Sequence, residues 1–349
     1  MAQHRHWPLN PIVRPMDYGF RYRSGVHATP TSFVDPVAVE AWDAWFRWRE
    51  GNELRDLTID ATWSRVTGAL SSLTPGQPAQ HEQQIGDAIS SWRLLPDERI
   101  LAGAGTPGFA WPGHGLSATI NLARFVSLPF TERAGLQVET LAATVLLALR
   151  LLDDVRLAAG CADAPLRLGI VGLADAVALL GADYTGASGV AAAEQAARLF
   201  ATASLVASSQ LAHERGAGVG TEATACALRR FEGQLSVTET RAVLDHGLRF
   251  GPLTNADSQP RLALLANNVA DALRPLRGER QTYDITGPHG TRQVVGSGFA
   301  LTLWRQLGAR FGEDTYPYPT AATTAAEGQA RIESAVLPWL DFPARAAAA

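Results

Sequence analysis

The residues able to do chemistry are few and widely spaced. Cys161 and Cys226 are the only cysteines, too few for a disulfide framework or a four-thiolate zinc site. Asp153 and Asp154 form a carboxylate pair of the kind that holds magnesium beside a diphosphate. No second acidic cluster accompanies them, which reads as a solvated helix end. Gly103, Gly105 and Gly108 match the spacing of a dinucleotide turn after an apolar run read as a strand. Pro107, Pro112 and Gly113 forbid the helix whose N-terminus would face a pyrophosphate. Gly169 and Gly172 suggest a close strand-to-helix turn. Among the histidines only His4 and His6 are sequence neighbours, in an extended arm unsuited to a metal, and His213 and His246 read as structural or exposed.

Composition narrows the classes. A chain of 349 residues with 46% hydrophobic content can bury one large core or two smaller ones. Its charged fraction of 18% is below the roughly 25% of ordinary soluble domains, which hints at surface covered by a partner or a second copy. A net charge of −4 with no Lys/Arg cluster argues against a nucleic-acid partner. The N-terminus has no apolar signal-like region, and the most apolar run, Leu141 to Leu152, is interrupted by Arg150 and too short to span a bilayer. No membrane is expected as a partner, and few cysteines fit a reduced, cytoplasmic setting.

The elements that must position these residues follow from periodicity. Pro8, Pro11, Pro15, Pro30 and Pro36 mark an extended arm, and Trp42, Trp45, Phe46 and Trp48 an aromatic core cluster. Thr58 is a plausible cap for a helix carrying Ile59, Trp63, Val66 and Leu70. INLARFV reads as a short strand, and Val138, Leu141, Val145, Leu149 and Leu152 as one face of a long helix. Leu166 to Val171 reads as a buried strand, followed by helices over Ala174 to Leu180 and Ser188 to Glu214, the latter stopped by Gly216. A helix is expected over Leu262 to Leu273, a hairpin over Tyr283 to Arg292, then a helix through Trp304 and Leu307, and a frayed alanine-rich tail.

Two phrases lie close together, SSWRLLPDERILAGAGT at 90–106 and INLARFVSLPFT at 120–131. With NPIVRPMDYGFRYR, LALRLLDDV, PLRLGIVGLADAVALLGADY, SSQLAHERG, LTNADSQPRLALLANNVADALRPL and ARIESAVLPWLD, in that order, the chain resembles the large subunit of adenosylcobalamin-dependent ribonucleotide reductases. In that family the first two phrases are far apart, so the resemblance implies a shortened protein. It implies an α/β, helix-rich fold: a partial or remodelled reductase-type barrel over 96–349, preceded by an N-terminal arm and helical region over 1–95.

The family's chemistry uses a radical cysteine, a pair of reducing thiols and a carboxylate. The N-P-C-G-E loop that carries the first and last of these precedes the strand matched by INLARFV, where this chain has WPGHGLSAT. Neither Cys161 nor Cys226 matches a catalytic cysteine, so no catalytic residue is assigned. Where the family holds phosphate with P-T-G-T-I-S, this chain reads Ser258, Gln259, Pro260, Arg261, Leu262, Ala263; Ser258 and Arg261 could still contact an anion. The expectation is a non-catalytic reductase-like protein acting by binding or as an accessory subunit. The alternative is an enzyme subunit supporting ribonucleotide reduction, or a diverged reaction, with a partner chain. Adenosylcobalamin is implied only if the family property survives. Halving a barrel would expose strand edges and an apolar sheet face unless helices or another chain cover them, so the expected partner is a second copy, as a homo-oligomer, or a full-length reductase.

Overall fold

Local signals start most of the helices. Pro36 sits in the first turn of α1 (Pro36–Trp45), where its missing N–H costs nothing, and Asp35 caps it by accepting from Val37 N at 2.9 Å. Thr58 caps α2 (Ile59–Ser71) as expected, and its buried face carries Ile59, Trp63, Val66 and Leu70. Two short strands, β1 (Arg49–Glu50) and β2 (Glu53–Leu54), form a hairpin between these helices. A helix not anticipated from the sequence, α3 (Pro78–Ser90), packs on α2. The computed structural model describes residues 33–74, 78–308 and 316–342. His4, His6, most of the proline arm and the alanine-rich tail lie outside the described residues.

Next come β3 (Leu94–Pro96), α4 (Glu98–Gly103) and β4 (Leu116–Asn121). The run before Gly103 is therefore helical, capped by Asp97, and the Gly103–Gly108 spacing is not a strand-to-helix turn. INLARFV is split: the strand ends at Asn121, Leu122–Phe125 is a 3₁₀ turn, and β5 (Val126–Ser127) pairs with β6 (Gly135–Leu136). The long helix α5 (Val138–Ala158) then crosses over to β7 (Leu166–Val171). β4 and β7 are parallel, in register from Leu116↔Leu166 to Asn121↔Val171, so β4–α5–β7 is a βαβ unit.

α6 (Leu173–Leu179) and α7 (Ala187–Arg215) follow, with Gly216 capping the latter. α8 (Thr221–Arg230), which carries Cys226, and α9 (Val237–His246) form a helical hairpin. The helix expected over Leu262 to Leu273 stops early: α10 is Pro260–Leu265, and Asn267, Asn268 and Ala272 have φ of 66°, 62° and 49°. Left-handed backbone at these positions ends the helix and leaves a buried irregular segment. β8 (Gln281–Gly287) and β9 (Gly290–Gly296) form the expected hairpin, followed by α11 (Phe299–Gly308) and α12 (Ala326–Val336).

The main sheet has three strands in the order β3-β4-β7, extended by one parallel bridge from Leu168 to Thr254. The chain is α/β and helix-rich, but no sheet among the described strands closes into a barrel. The sheet is not left bare. Ala118 faces Ala148, Leu151 and Leu152 of α5, while Gly169 on the other face lies under Asn255. One apolar cluster runs from Trp42 to Leu340. No helix among the described residues is long and apolar enough to cross a membrane.

Candidate functional site

Parallel α/β sheets present their chemistry at the carboxyl ends of the strands, here Asn121 of β4 and Val171 of β7. The pleat sends Ala118 and Ile120 one way and Thr119 and Asn121 the other. Across from Thr119 is Gly169, and a Cβ there would sit 3.2 Å from Asn255 Oδ1 and 3.6 Å from Thr119 Oγ1. Gly172, with φ 70°, turns the chain from β7 into α6; a Cβ there would lie 2.5 Å from Asn121 Oδ1. The two glycines expected to make a close turn thus let two amides and a hydroxyl approach the backbone.

The segment after α10 walls this edge. Gly172 N donates to Ala270 O at 2.7 Å. Asp175, in the first turn of α6, accepts from Ala270 N at 2.6 Å and Ala300 N at 3.0 Å. Its carboxyl is raised from the ordinary range by burial, opposed by those two backbone donors and by Arg277. Asp271 accepts from Ser258 Oγ and, at 2.6 Å, from Gln259 N. Both carboxylates at this edge therefore spend both oxygens on donors of the chain itself.

The amides and hydroxyls are less well served. Thr119 Oγ1, both polar atoms of the Asn121 side chain and Asn268 Oδ1 are buried without a protein partner. Each such atom costs about 1–3 kcal/mol if left unsatisfied, so this edge is suited to ordered water or a small polar ligand. The unpartnered amides and hydroxyl donate and accept hydrogen bonds and carry no titratable proton, so they can hold a ligand without moving protons. Among the described residues no group of three or more His, Cys, Asp or Glu is placed to hold a metal.

The residues singled out in the sequence are scattered. Ser258 is bonded to Asp271, and Arg261 reaches Glu98 at 3.4 Å and lies over the Trp45 ring; their side chains are drawn to different partners. Cys161 follows α5 on the way into the amino end of β7, the end opposite Asn121, and Cys226 is exposed on α8. Asp153 and Asp154 overturn the solvated-end reading, being 0% and 7% exposed. Asp153 meets Arg156 at 2.6 Å, Arg215 at 2.8 Å and Arg249 at 3.3 Å, and Asp154 meets Arg215 at 2.7 Å. Arg156 comes from α5 itself, but Arg215 and Arg249, which complete the pair's enclosure, come from α7 and the segment after α9, beyond the reach of a local charge count. His213 and His246 face each other, with ring centroids 4.1 Å apart. Thr119, Asn121 and Asn268 carry no sequence motif, because isolated amides and hydroxyls have none; the glycines beside the first two, Gly169 and Gly172, were the available signal. No family model matches this chain, and no curated protein is similar to it.

Proposed function

We propose that this chain is a shortened, ribonucleotide reductase-like protein that works by binding and not by catalysis. The observation that carries this reading is the carboxyl edge of β4 and β7, which bears amides, a hydroxyl and two carboxylates already engaged through both oxygens. Radical chemistry of the reductase kind needs a cysteine at such an edge and a thiol pair to re-reduce it. Here one thiol leads into the opposite end of β7 and the other is exposed on the α8–α9 hairpin. Asp271 also supplies from within the chain the negative charge that a phosphate would bring to Ser258 and Gln259. Anion binding by Ser258 and Arg261 would have to displace Asp271 and Glu98, so Asp271→Asn is the variant in which inorganic phosphate binding there should become measurable.

A binding protein of this descent acts on a second copy or on a full-length reductase. The test incubates the purified chain with ribonucleotide, adenosylcobalamin and a dithiol, then titrates it into full-length reductase from the same cells. No 2′-deoxy product from the chain alone, and an altered reductase turnover on mixing, is the expected pair of results. Deoxynucleotide formation by the chain alone would overturn the non-catalytic reading. An unchanged turnover together with a sedimentation profile showing neither self-association nor a mixed complex would overturn the accessory role.

A further inference from the structure

Away from the sheet, the start of α1, the end of β9 and α11 enclose an open groove of about 480 Å³. Glycines bring these segments together: Gly296 has no room for a side chain beside Val37 and Asp35, nor Gly298 beside Arg277. Ser297, between them, donates its N–H to Asp35 at 2.9 Å. The Asp35 carboxylate is occupied on its other oxygen by Val37 N, so it forms part of the floor and offers no free acceptor pair.

The polar lining is cationic and hydrogen-bonding. Arg280 and Arg305 both border the groove, with the Thr302 hydroxyl and the Gln306 amide. Arg305 pairs with Glu279, the immediate neighbour of Arg280, which places the two guanidinium-bearing residues on the same wall. Arg280 has φ 51°, an uncommon conformation for a side-chain-bearing residue. It is held there by its N–H to Ser297 Oγ and, next to it, by Gly298 N to Gly278 O at 3.1 Å. Among the described residues no carboxylate lies within ion-pair distance of the Arg280 guanidinium, and its side chain is exposed. Val34 and Val295 supply an apolar side to the same groove.

We propose that this groove binds a small phosphate monoester, with the phosphate taken by Arg280, assisted by the donors of Arg305 that its pairing with Glu279 leaves open, and the organic body laid against Val34 and Val295. Guanidinium groups match phosphate oxygens in geometry and charge. The groove's volume falls in the range of about 300–1,000 Å³ typical of small-molecule sites, far more than a bare phosphate fills. Thr302 and Gln306 add neutral hydrogen bonds that orient the ester. This site stands apart from Ser258 and Arg261 and does not depend on the chain's descent.

Isothermal titration of the full chain with phenyl phosphate, inorganic phosphate and phenol tests it. Phenyl phosphate should bind more tightly than inorganic phosphate, and phenol should give no saturable heat. Arg280→Ala should weaken phenyl phosphate by roughly tenfold or more, the scale of one charge-assisted hydrogen bond, with an unchanged circular dichroism spectrum because the side chain is exposed. Ser258→Ala should leave the affinity alone. No saturable binding of phenyl phosphate up to about 10 mM, weaker than any affinity a built site of this kind should give, would overturn the proposal. Equal affinity in Arg280→Ala and the parent chain, or loss of binding in Ser258→Ala, would do the same.

Discussion

Asp153 is wholly buried, and burial alone would raise its carboxyl. The guanidinium groups of Arg215, Arg156 and Arg249 outweigh that cost and hold it below its ordinary value of 3.8. A carboxyl whose folded pKa is depressed adds stability above its unfolded pKa and loses it as pH falls through the folded value. Urea unfolding should therefore show stability falling as the solution is acidified from neutrality through 3.8 and below, and Asp153→Asn should flatten that dependence. Asp153→Ala leaves Arg156, Arg215 and Arg249 facing a void, an expected loss of about 3–5 kcal/mol by the same measurement. Asp175 has the opposite sign: burial raises its carboxyl, so its ionisation subtracts stability as pH rises above 3.8. Gly172 is a second test of single positions. With φ 70° and Asn121 Oδ1 2.5 Å from a modest Cβ, Gly172→Ala should cost about 2–4 kcal/mol in chemical denaturation. That glycine was legible in the sequence as a close turn. The amide it makes room for was not, because spacing records the backbone requirement and says nothing about the side chain packed against it.

Elements with one dominant local signal were read well. Leu166 to Val171 is a continuous apolar run, and it is β7 to the residue; the apolar spacing from Val138 to Leu152 lies within α5. Elements decided by tertiary contacts were read less well. INLARFV has a strand-like composition, yet its second half is a 3₁₀ turn, where Gln137 N donates to Phe125 O at 2.8 Å and ties the turn to the start of α5. The sequence after Leu265 keeps a helical appearance, but Val269 N turns back to Ala263 O at 3.1 Å and Asn268 Nδ2 reaches Ser297 O at 3.0 Å. These contacts, the one to Ser297 from far along the chain, override a weak local preference. The α8–α9 hairpin has a small cluster of its own, Phe231, Val243 and Leu248 with Ala201 and Leu205 of α7, and α9 begins with a capping box between Ser236 and Glu239. Ser236→Ala should cost α9 about 1 kcal/mol. Hydrogen exchange should register it as faster exchange across α9 with β4 and β7 unchanged, since a satellite cluster opens independently of the main core. Equal acceleration in β4 and β7 would mean that the hairpin unfolds only with the whole unit.

At the scale of the molecule, the main sheet has three strands, and no sheet among the described strands closes into a barrel. The physical difficulty foreseen for a halved barrel, an apolar face open to water, is met within the chain. α5 covers one side of the sheet, and the stretch from Leu253 to Asn255 pairs along the free edge of β7, through Leu168 N to Leu253 O and Asn255 N to Leu168 O, both at 3.0 Å, placing the Asn255 side chain over Gly169 on the other side. The strands are buried almost throughout, so a partner is not needed to cover them. This separates assembly from folding. If a second copy completed the core, dilution would unfold the chain, because stability would rise with protein concentration by mass action. If the core is complete in one chain, a sample diluted until light scattering shows only monomer, at about 1 µM, should still unfold in one cooperative thermal transition, with any dimer at about 50 µM only raising the midpoint by mass action. Loss of that transition once the chain is monomeric would place part of the core between copies. A monomer that keeps it would leave any oligomer, or any complex with a reductase, as an association between chains already folded.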